Sequence, residues 1–292
     1  MAAPAPTATA TTAAAPWRAQ FLDHISKLDS PIFTFTSLHP GPGSSPPVPR
    51  GRTCVYRGMW ASIPWNDKNN APRNPDAFDS DCLTLTTDAR MAKVPELFAS
   101  GQQGGGGGGG GAASSSGGGG PVEAMFWVPE TGTQWRVRGH AWVLAHADVG
   151  DTASPGAKAA RDAISARMRR TGRDEAATGQ WSWEKEVVGQ FGNLSPGMRG
   201  SFKNPPPGTP RAQEPGPGEG LGQKVGDELL EDEVARRNFR VVVVVPEEVD
   251  TWDGKDPDNQ KRFIYTYVGP DAKATRPGGQ IIDGWEKVEV WP

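Results

Sequence analysis

The chain has 292 residues, with 31 basic against 34 acidic side chains and a net charge of −3. That balance, without a long charge block, argues against a basic nucleic-acid binder and a polybasic membrane-surface protein. The longest aliphatic run, Val241–Val245, is far short of the ~18 residues that span a bilayer. Hydrophobic residues are only 36%, and 38 Gly and 28 Pro are clumped, so the folded part is shorter than the chain; 11 Trp and 10 Phe supply its core.

Two cysteines, Cys54 and Cys82, make neither a disulfide framework nor a zinc site. They read as small core residues of a reducing, cytoplasmic compartment. The four histidines show no metal-ligand spacing, so no metal is expected, and no G-x-S-x-G nucleophile elbow occurs.

In chain order, residues 1–14 carry no charge and no secretory signal, and read as a disordered tail. Pro16 opens a helix whose apolar face is Trp17, Phe21, Leu22, Ile25 and Leu28. Ile32–Leu38 and Arg52–Gly58 read as a hairpin around a Pro/Gly/Ser turn, followed by a polar loop over 64–80. Leu83–Thr87 is a third strand, and Asp88 is placed to N-cap a helix through Leu97 and Phe98. Thirteen of the twenty residues 101–120 are glycine, which reads as a flexible insert.

Val122–Val128 and Thr133–Leu144 form a second hairpin, the latter alternating cleanly. Helical composition follows over 155–170 and 175–190, then a Pro-rich loop over 194–217 and a short acidic helix near 228–236. Phe239–Val245 is nearly all apolar, hence a central strand. Arg262–Val268 and Trp285–Val290 close the chain. The expectation is a mainly β fold with helices, a closed or split β-barrel forming one domain over 15–292.

Three clusters carry chemistry. In Arg52-Thr53-Cys54-Val55-Tyr56-Arg57, Arg52 shares a strand face with Cys54 and Tyr56, while Thr53, Val55 and Arg57 share the other. In Thr86-Thr87-Asp88-Ala89-Arg90-Met91-Ala92-Lys93, Arg90 and Lys93 lie one helical turn apart and can face one anion. Gln134, in Gln134-Trp135-Arg136, offers an amide that suits the imide edge of a flavin or a base. Taken singly, each is also what an ordinary solvated strand or helix presents. Trp181 and Trp183 read as core packing rather than a base-stacking platform.

The order RTCVYRG, TTDARMAK, TQWR, then Arg262-Phe263 and the C-terminal Trp285–Pro292, resembles the pyridoxamine 5'-phosphate oxidase-like FMN-binding family. The branch it is most similar to is the one shared by cyanobacteria, plants and fungi, which the LSPGMRGSFKNPPPGTP segment also resembles. The resemblance implies an FMN-binding split barrel, a homodimer with flavin at the interface, and a flavin-dependent oxidoreductase. It assigns flavin contacts to Arg52, Thr53, Val55, Tyr56, Arg57, Thr86 and Thr87, the phosphate to Arg90 and Lys93, the pyrimidine edge to Gln134, and a cross-subunit contact to Arg262. The position next to the family lysine is Ala92, and Asp258-Asn259-Gln260 stands where true oxidases carry an Arg-x-His substrate pair. Fold and cofactor survive that departure, whereas vitamin B6 oxidation does not follow. A non-catalytic flavin carrier or sensor is the alternative; a haem-binding barrel is weakened by the lack of a placed axial His. Arg52 or Arg199 is the candidate to polarise a substrate anion.

Overall fold

The computed structural model describes residues 3–5, 13–43, 45–101, 114–173 and 175–292. These form α1 (Arg18–Ile25), β1 (Ile32–His39), β2 (Val48–Val55), β3 (Phe78–Ser80), β4 (Leu83–Asp88), α2 (Lys93–Ala99), β5 (Gly117–Val128) and β6 (Thr133–Leu144). Then follow α3 (Pro155–Ser165), β7 (Met168–Arg170), α4 (Trp183–Gly192), α5 (Pro196–Gly200), α6 (Glu233–Asn238), β8 (Phe239–Asp253), β9 (Lys261–Tyr267), β10 (Gln280–Ile282) and β11 (Trp285–Val290). The fold is mixed α/β around one large antiparallel sheet in the order β10-β11-β9-β8-β6-β5-β1-β2, with β4 added to β8; β3 and β7 pair separately.

Strand β8 organises the sheet. Along its whole length one edge pairs with β6. Its other edge pairs first with β4, from Phe239↔Asp88 to Val244↔Leu83, and later with β9, from Glu248↔Thr266 to Asp253↔Lys261. A bulge between these halves skips Glu247, beside Pro246, which has no N–H to give a ladder. Gly139 faces it on β6, where a Cβ would run into the Val245 carbonyl oxygen. Beyond β2, the Arg57 N–H donates to Thr84 O at 2.9 Å and the Thr84 N–H to Gly58 O at 2.9 Å, so the chain after β2 runs beside β4.

The all-apolar stretch of β8 is buried on both faces because each meets a different core. Val242 and Val244 join Phe21, Phe126 and Trp135 in one cluster, and Val241, Val243 and Val245 join Trp60, Trp181, Trp183 and Phe191 in the other. The expected Trp181/Trp183 packing is what the second core contains, with ring centroids 5.2 Å apart. In α1, Phe21 and Ile25 are buried, and Leu22 and Leu28 pack against the first cluster.

Several expected boundaries move. The end of the Gly-rich segment, Gly117–Gly120, is the buried start of β5, not part of an insert; residues 102–113 lie outside the described residues. Asp148 fixes this entry by accepting from the Ser115 and Ser116 N–H groups at 2.8 and 3.1 Å. Gly120 must be glycine, since a Cβ there would collide with Ser100 Oγ and lie 2.8 Å from Leu97 O in α2. Of the expected tail, the Ala3 N–H donates to Gly150 O at 2.8 Å, and residues 6–12 lie outside the described residues. Asp88 ends β4 instead of capping a helix, and α2 starts at Lys93, which leaves Pro95 in its first turn where no internal bond is lost. The helix expected over 155–170 stops at Ser165 and becomes β7, whose partner β3 lies in the segment expected to be a loop.

Gly120→Ala is expected to destabilise the protein by about 1–3 kcal/mol, because two backbones cannot separate to admit the methyl group. Urea unfolding of the purified variant measures this, and an unchanged midpoint contradicts the close approach of α2 to β5.

Candidate functional site

A cavity of about 800 Å³ lies between the end of β2, β4, the turn into α2 and the Pro-rich loop. Thr53, Val55, Arg57, Thr86, Thr87, Arg90 and Lys93 all line it. Alternation on β2 sends Thr53 and Val55 to the cavity side, while Tyr56 enters the first core.

Lys93 is the residue on which the chemistry turns. It is only 7% exposed, yet among the described residues no carboxylate pairs with it. Its Nζ donates to Thr87 Oγ1 at 2.9 Å and contacts Met91 Sδ at 3.1 Å. Burial holds its pKa below the ordinary lysine value. Arg57 is in a similar state: its Nε is buried without a hydrogen-bond partner, and Nη2 meets only Met198 Sδ at 3.7 Å. Burial lowers its pKa too, with no acidic neighbour opposing it. Buried charges are ordinarily paired. Two unpaired cations around one cavity therefore create a site for an anion. The backbone of Arg57 pairs with Thr84 and the Lys93 ammonium binds Thr87, so the two cations approach the cavity from different positions along β4.

Arg90 lines the same cavity but is already committed. Its Nε and Nη2 grip Asp88 at 3.0 and 2.8 Å, and Nη2 also donates to the carbonyls of Phe202 and Asn204 at 3.2 and 2.9 Å. Its Nη1 reaches Glu219 at 3.3 Å. The Asp88 hydrogen bonds raise its pKa. Although Arg90 and Lys93 are three residues apart, they do not share one free anion pole as expected.

Four other expected site residues sit elsewhere. Arg52 turns away from the cavity to Ser37 and to buried Glu96, with Nη2 to Oε2 at 2.6 Å. Tyr56 is buried in the core with its hydroxyl unpartnered, and burial pushes its pKa up. Gln134 and Arg262 lie on the outer sheet face, in one cross-strand row that runs Trp127, Gln134, Trp252, Arg262. Arg262 is held there by Asp250, with Nε and Nη2 at 3.0 and 2.8 Å, and Arg136 pairs with the same carboxylate. Burial opposes ionisation of Asp250, but these two guanidinium groups outweigh it and lower its pKa. Arg199 does not serve as a substrate contact: it is 1% exposed and locked to Val225 O and Asp227 at 2.9 and 2.6 Å.

The cavity also has a wall that the sequence reading did not place there, formed by Met198, Phe202 and the segment from Asn204 to Pro215. Its signal was the density of proline, six residues between 204 and 219. Proline presets φ and stiffens a loop enough to act as a wall.

Lys93→Met is expected to stabilise the unliganded protein at neutral pH by about 1 kcal/mol, since it replaces a buried unpaired charge with an apolar chain. Because the folded pKa lies below the unfolded one, the unfolded state binds more protons between the two values. Wild-type stability therefore gains an increment as pH rises through that interval toward 10.5, and the variant lacks it. Thermal melts across alkaline pH test both; a variant less stable at neutral pH contradicts the unpaired state of Lys93.

Residues 14–145 match the family described as pyridoxamine 5'-phosphate oxidase, FMN-binding domain. That span holds β2, β4, α2 and β6, but not the Pro-rich loop or Arg262. No curated protein matches the chain. Among solved structures, a pyridoxamine 5'-phosphate oxidase-related, FMN-binding protein from Nostoc punctiforme is similar over 96% of this chain and 100% of its own, with 17% identity and a TM-score of 0.54. PhzG from Burkholderia lata, solved with tetrahydrophenazine-1-carboxylic acid, aligns over 94% of this chain and 90% of its own, with 12% identity and a TM-score of 0.42. The chain thus has the fold of the Nostoc protein, a large antiparallel sheet with helices, and residues 14–145 are similar to the FMN-binding domain family.

Proposed function

We propose that this protein binds FMN as a split-barrel flavoprotein and acts as a flavin-dependent oxidoreductase. The observation that carries the reading is the unpaired Lys93 beside Thr87, inside the span that matches the FMN-binding family. The residues present fit the group: a phosphate supplies the negative charge that Lys93 lacks, and the hydroxyls of Thr53, Thr86 and Thr87 line the same wall. Val55 and Met91 offer apolar surface beside it. When bound, the flavin supplies the redox chemistry, and the protein orients it. Arg57, which also lines the cavity, suits a second anionic group, such as one on the substrate.

The reading includes a homodimer. Gln134 lies three strands from β2 in the sheet order, and Arg262 five. Counted from β4, which also lines the cavity, the separation runs along β8 instead: Thr87 pairs with Arg240, whereas Gln134 and Arg262 both neighbour Trp252 near its other end, and neither lines the cavity. A second copy packed on the outer face brings them to it. That face carries Trp127, 47% exposed, and Ile32, 48% exposed, which are suited to burial between subunits.

The carrier reading is favoured by one observation. Gln260, where an Arg-x-His pair is absent, accepts a hydrogen bond from Trp252 Nε1 at 3.1 Å, so the segment is spent on Trp252 and not presented to a substrate.

The purified protein is expected to be yellow, or to take up added FMN stoichiometrically. Lys93→Ala is expected to weaken FMN binding by about tenfold or more, the cost of a lost charge-assisted hydrogen bond. A colourless protein that takes up no FMN overturns the cofactor assignment. Anaerobic reduction of the bound flavin by a nicotinamide donor or pyridoxamine phosphate supports the oxidoreductase, and failure with every donor supports the carrier. Sedimentation is expected to show a dimer, which Trp127→Glu dissociates with loss of flavin.

A further inference from the structure

We propose that the loop Asn204–Glu219 is a hinged lid over the anion site, and that Arg90 is the positioning residue that holds its neck. The inference rests on the phosphate-binding reading of the cavity and adds a moving part to it. The loop is an Ω-loop whose ends are tied together, with the Gly220 N–H donating to Lys203 O at 3.1 Å. The Arg90 guanidinium grips both sides of that neck, the Phe202 and Asn204 carbonyls on one and Glu219 on the other. Glu219 in turn accepts from the Gly216 N–H at 3.1 Å.

Beyond the neck the loop is untethered. Among the described residues, the hydrogen bonds made between Pro205 and Pro215 are Thr209 N–H to Pro206 O and Gln213 N–H to Pro210 O, both inside the loop. The segment nevertheless lines the cavity. A stiff, proline-rich flap that touches the cavity without bonding to its opposite wall is free to swing from its ends, and Gly208 and Gly218 have positive φ values of 89° and 77°. Arg211, on the cavity side of the flap, is exposed and, among the described residues, has no carboxylate partner. A phosphorylated ligand at Lys93 attracts Arg211 and draws the flap down. The neck and the anion site are also built on the same short turn, since Arg90 and Lys93 are three residues apart.

Trypsin cleavage after Arg211 reads the lid directly in the full-length protein. FMN is expected to slow that cleavage by about tenfold, as ligand binding withdraws the open form. Inorganic phosphate at high concentration is expected to protect as well, independently of the flavin. Glu219→Gln and Arg90→Lys loosen the neck, and each is expected to speed FMN release, followed by flavin fluorescence, by about fivefold. Arg211→Ala is expected to do the same with its melting temperature unchanged, which a merely structural loop would not do. FMN that binds but leaves Arg211 cleavage unchanged, or release rates equal to wild type in Glu219→Gln and Arg211→Ala, overturns the lid while leaving the cofactor reading intact. Failure of FMN to bind while phosphate still protects Arg211 overturns the cofactor reading and supports the lid. Protection by neither overturns the lid.

Discussion

The rest of the structure depends on how β8 divides its second edge. Its first half needs β4 to cover the backbone groups of Phe239–Val244, and its second half needs β9 to cover those of Glu248–Asp253. Between the two sets the strand carries an irregularity in its pairing with β6. Pro246 and the skipped Glu247 provide it, at the point where Gly139 lets the two backbones close up. The consequence is functional. The β4 branch delivers Thr86 and Thr87 to the cavity, and the β9 branch carries Arg262 out along the exposed face. The cavity and the outer row are two arms of one strand.

Within the cavity, Arg90 and Lys93 show how three residues separate structural from functional charge. Arg90 has a carboxylate on each side and two carbonyls beneath it, so its charge is consumed in holding the loop. Lys93 has a hydroxyl and a thioether, neither of which neutralises it. A folded chain keeps an unpaired buried cation only at a cost to stability, and such sites are where ligands with the opposite charge bind. The neighbouring Cys54 thiol, pushed up by burial, stays neutral and does not offer Lys93 an internal anion.

Much of this was legible along the chain. Alternation on RTCVYRG separated Thr53, Val55 and Arg57 from Arg52, Cys54 and Tyr56, and the cavity takes the whole first set and, of the second, Cys54. The apolar run of β8 announced a strand buried on both sides, and the two cores it divides explain why no polar alternation was needed. What misled were features whose meaning depends on distant partners. The terminal glycines of the Gly-rich segment read as linker because glycine has no side chain to mark a strand, yet α2 packs where their Cβ atoms would be. Short β3 and β7 exist only because they pair with each other across ~90 residues, which no local pattern records. Arg90 looked like a phosphate ligand although its main partner, Asp88, is two residues away; the Phe202 and Asn204 carbonyls and Glu219, which complete its shell, are more than 110 residues distant.

Gln134 and Arg262 pose a different problem, since they were legible as residues but not as a place. They share a single cross-strand row with Trp127 and Trp252, yet that row lies near the other end of β8 from the pairing of Thr87 with Arg240. A sheet fixes the spacing of its own strands, and neither residue lines the cavity. Under the proposed dimer, the two places meet on one ligand only across two copies. The same outer face exposes Trp127 and Ile32, the surface that a second copy would cover. Its Asp250 is clamped by two arginines, Arg136 and Arg262, so that carboxylate is satisfied but one positive charge is left over. In an isologous interface each copy presents this same patch to the other, so the leftover positive charge has to sit off the two-fold axis, where it faces a different group of the partner.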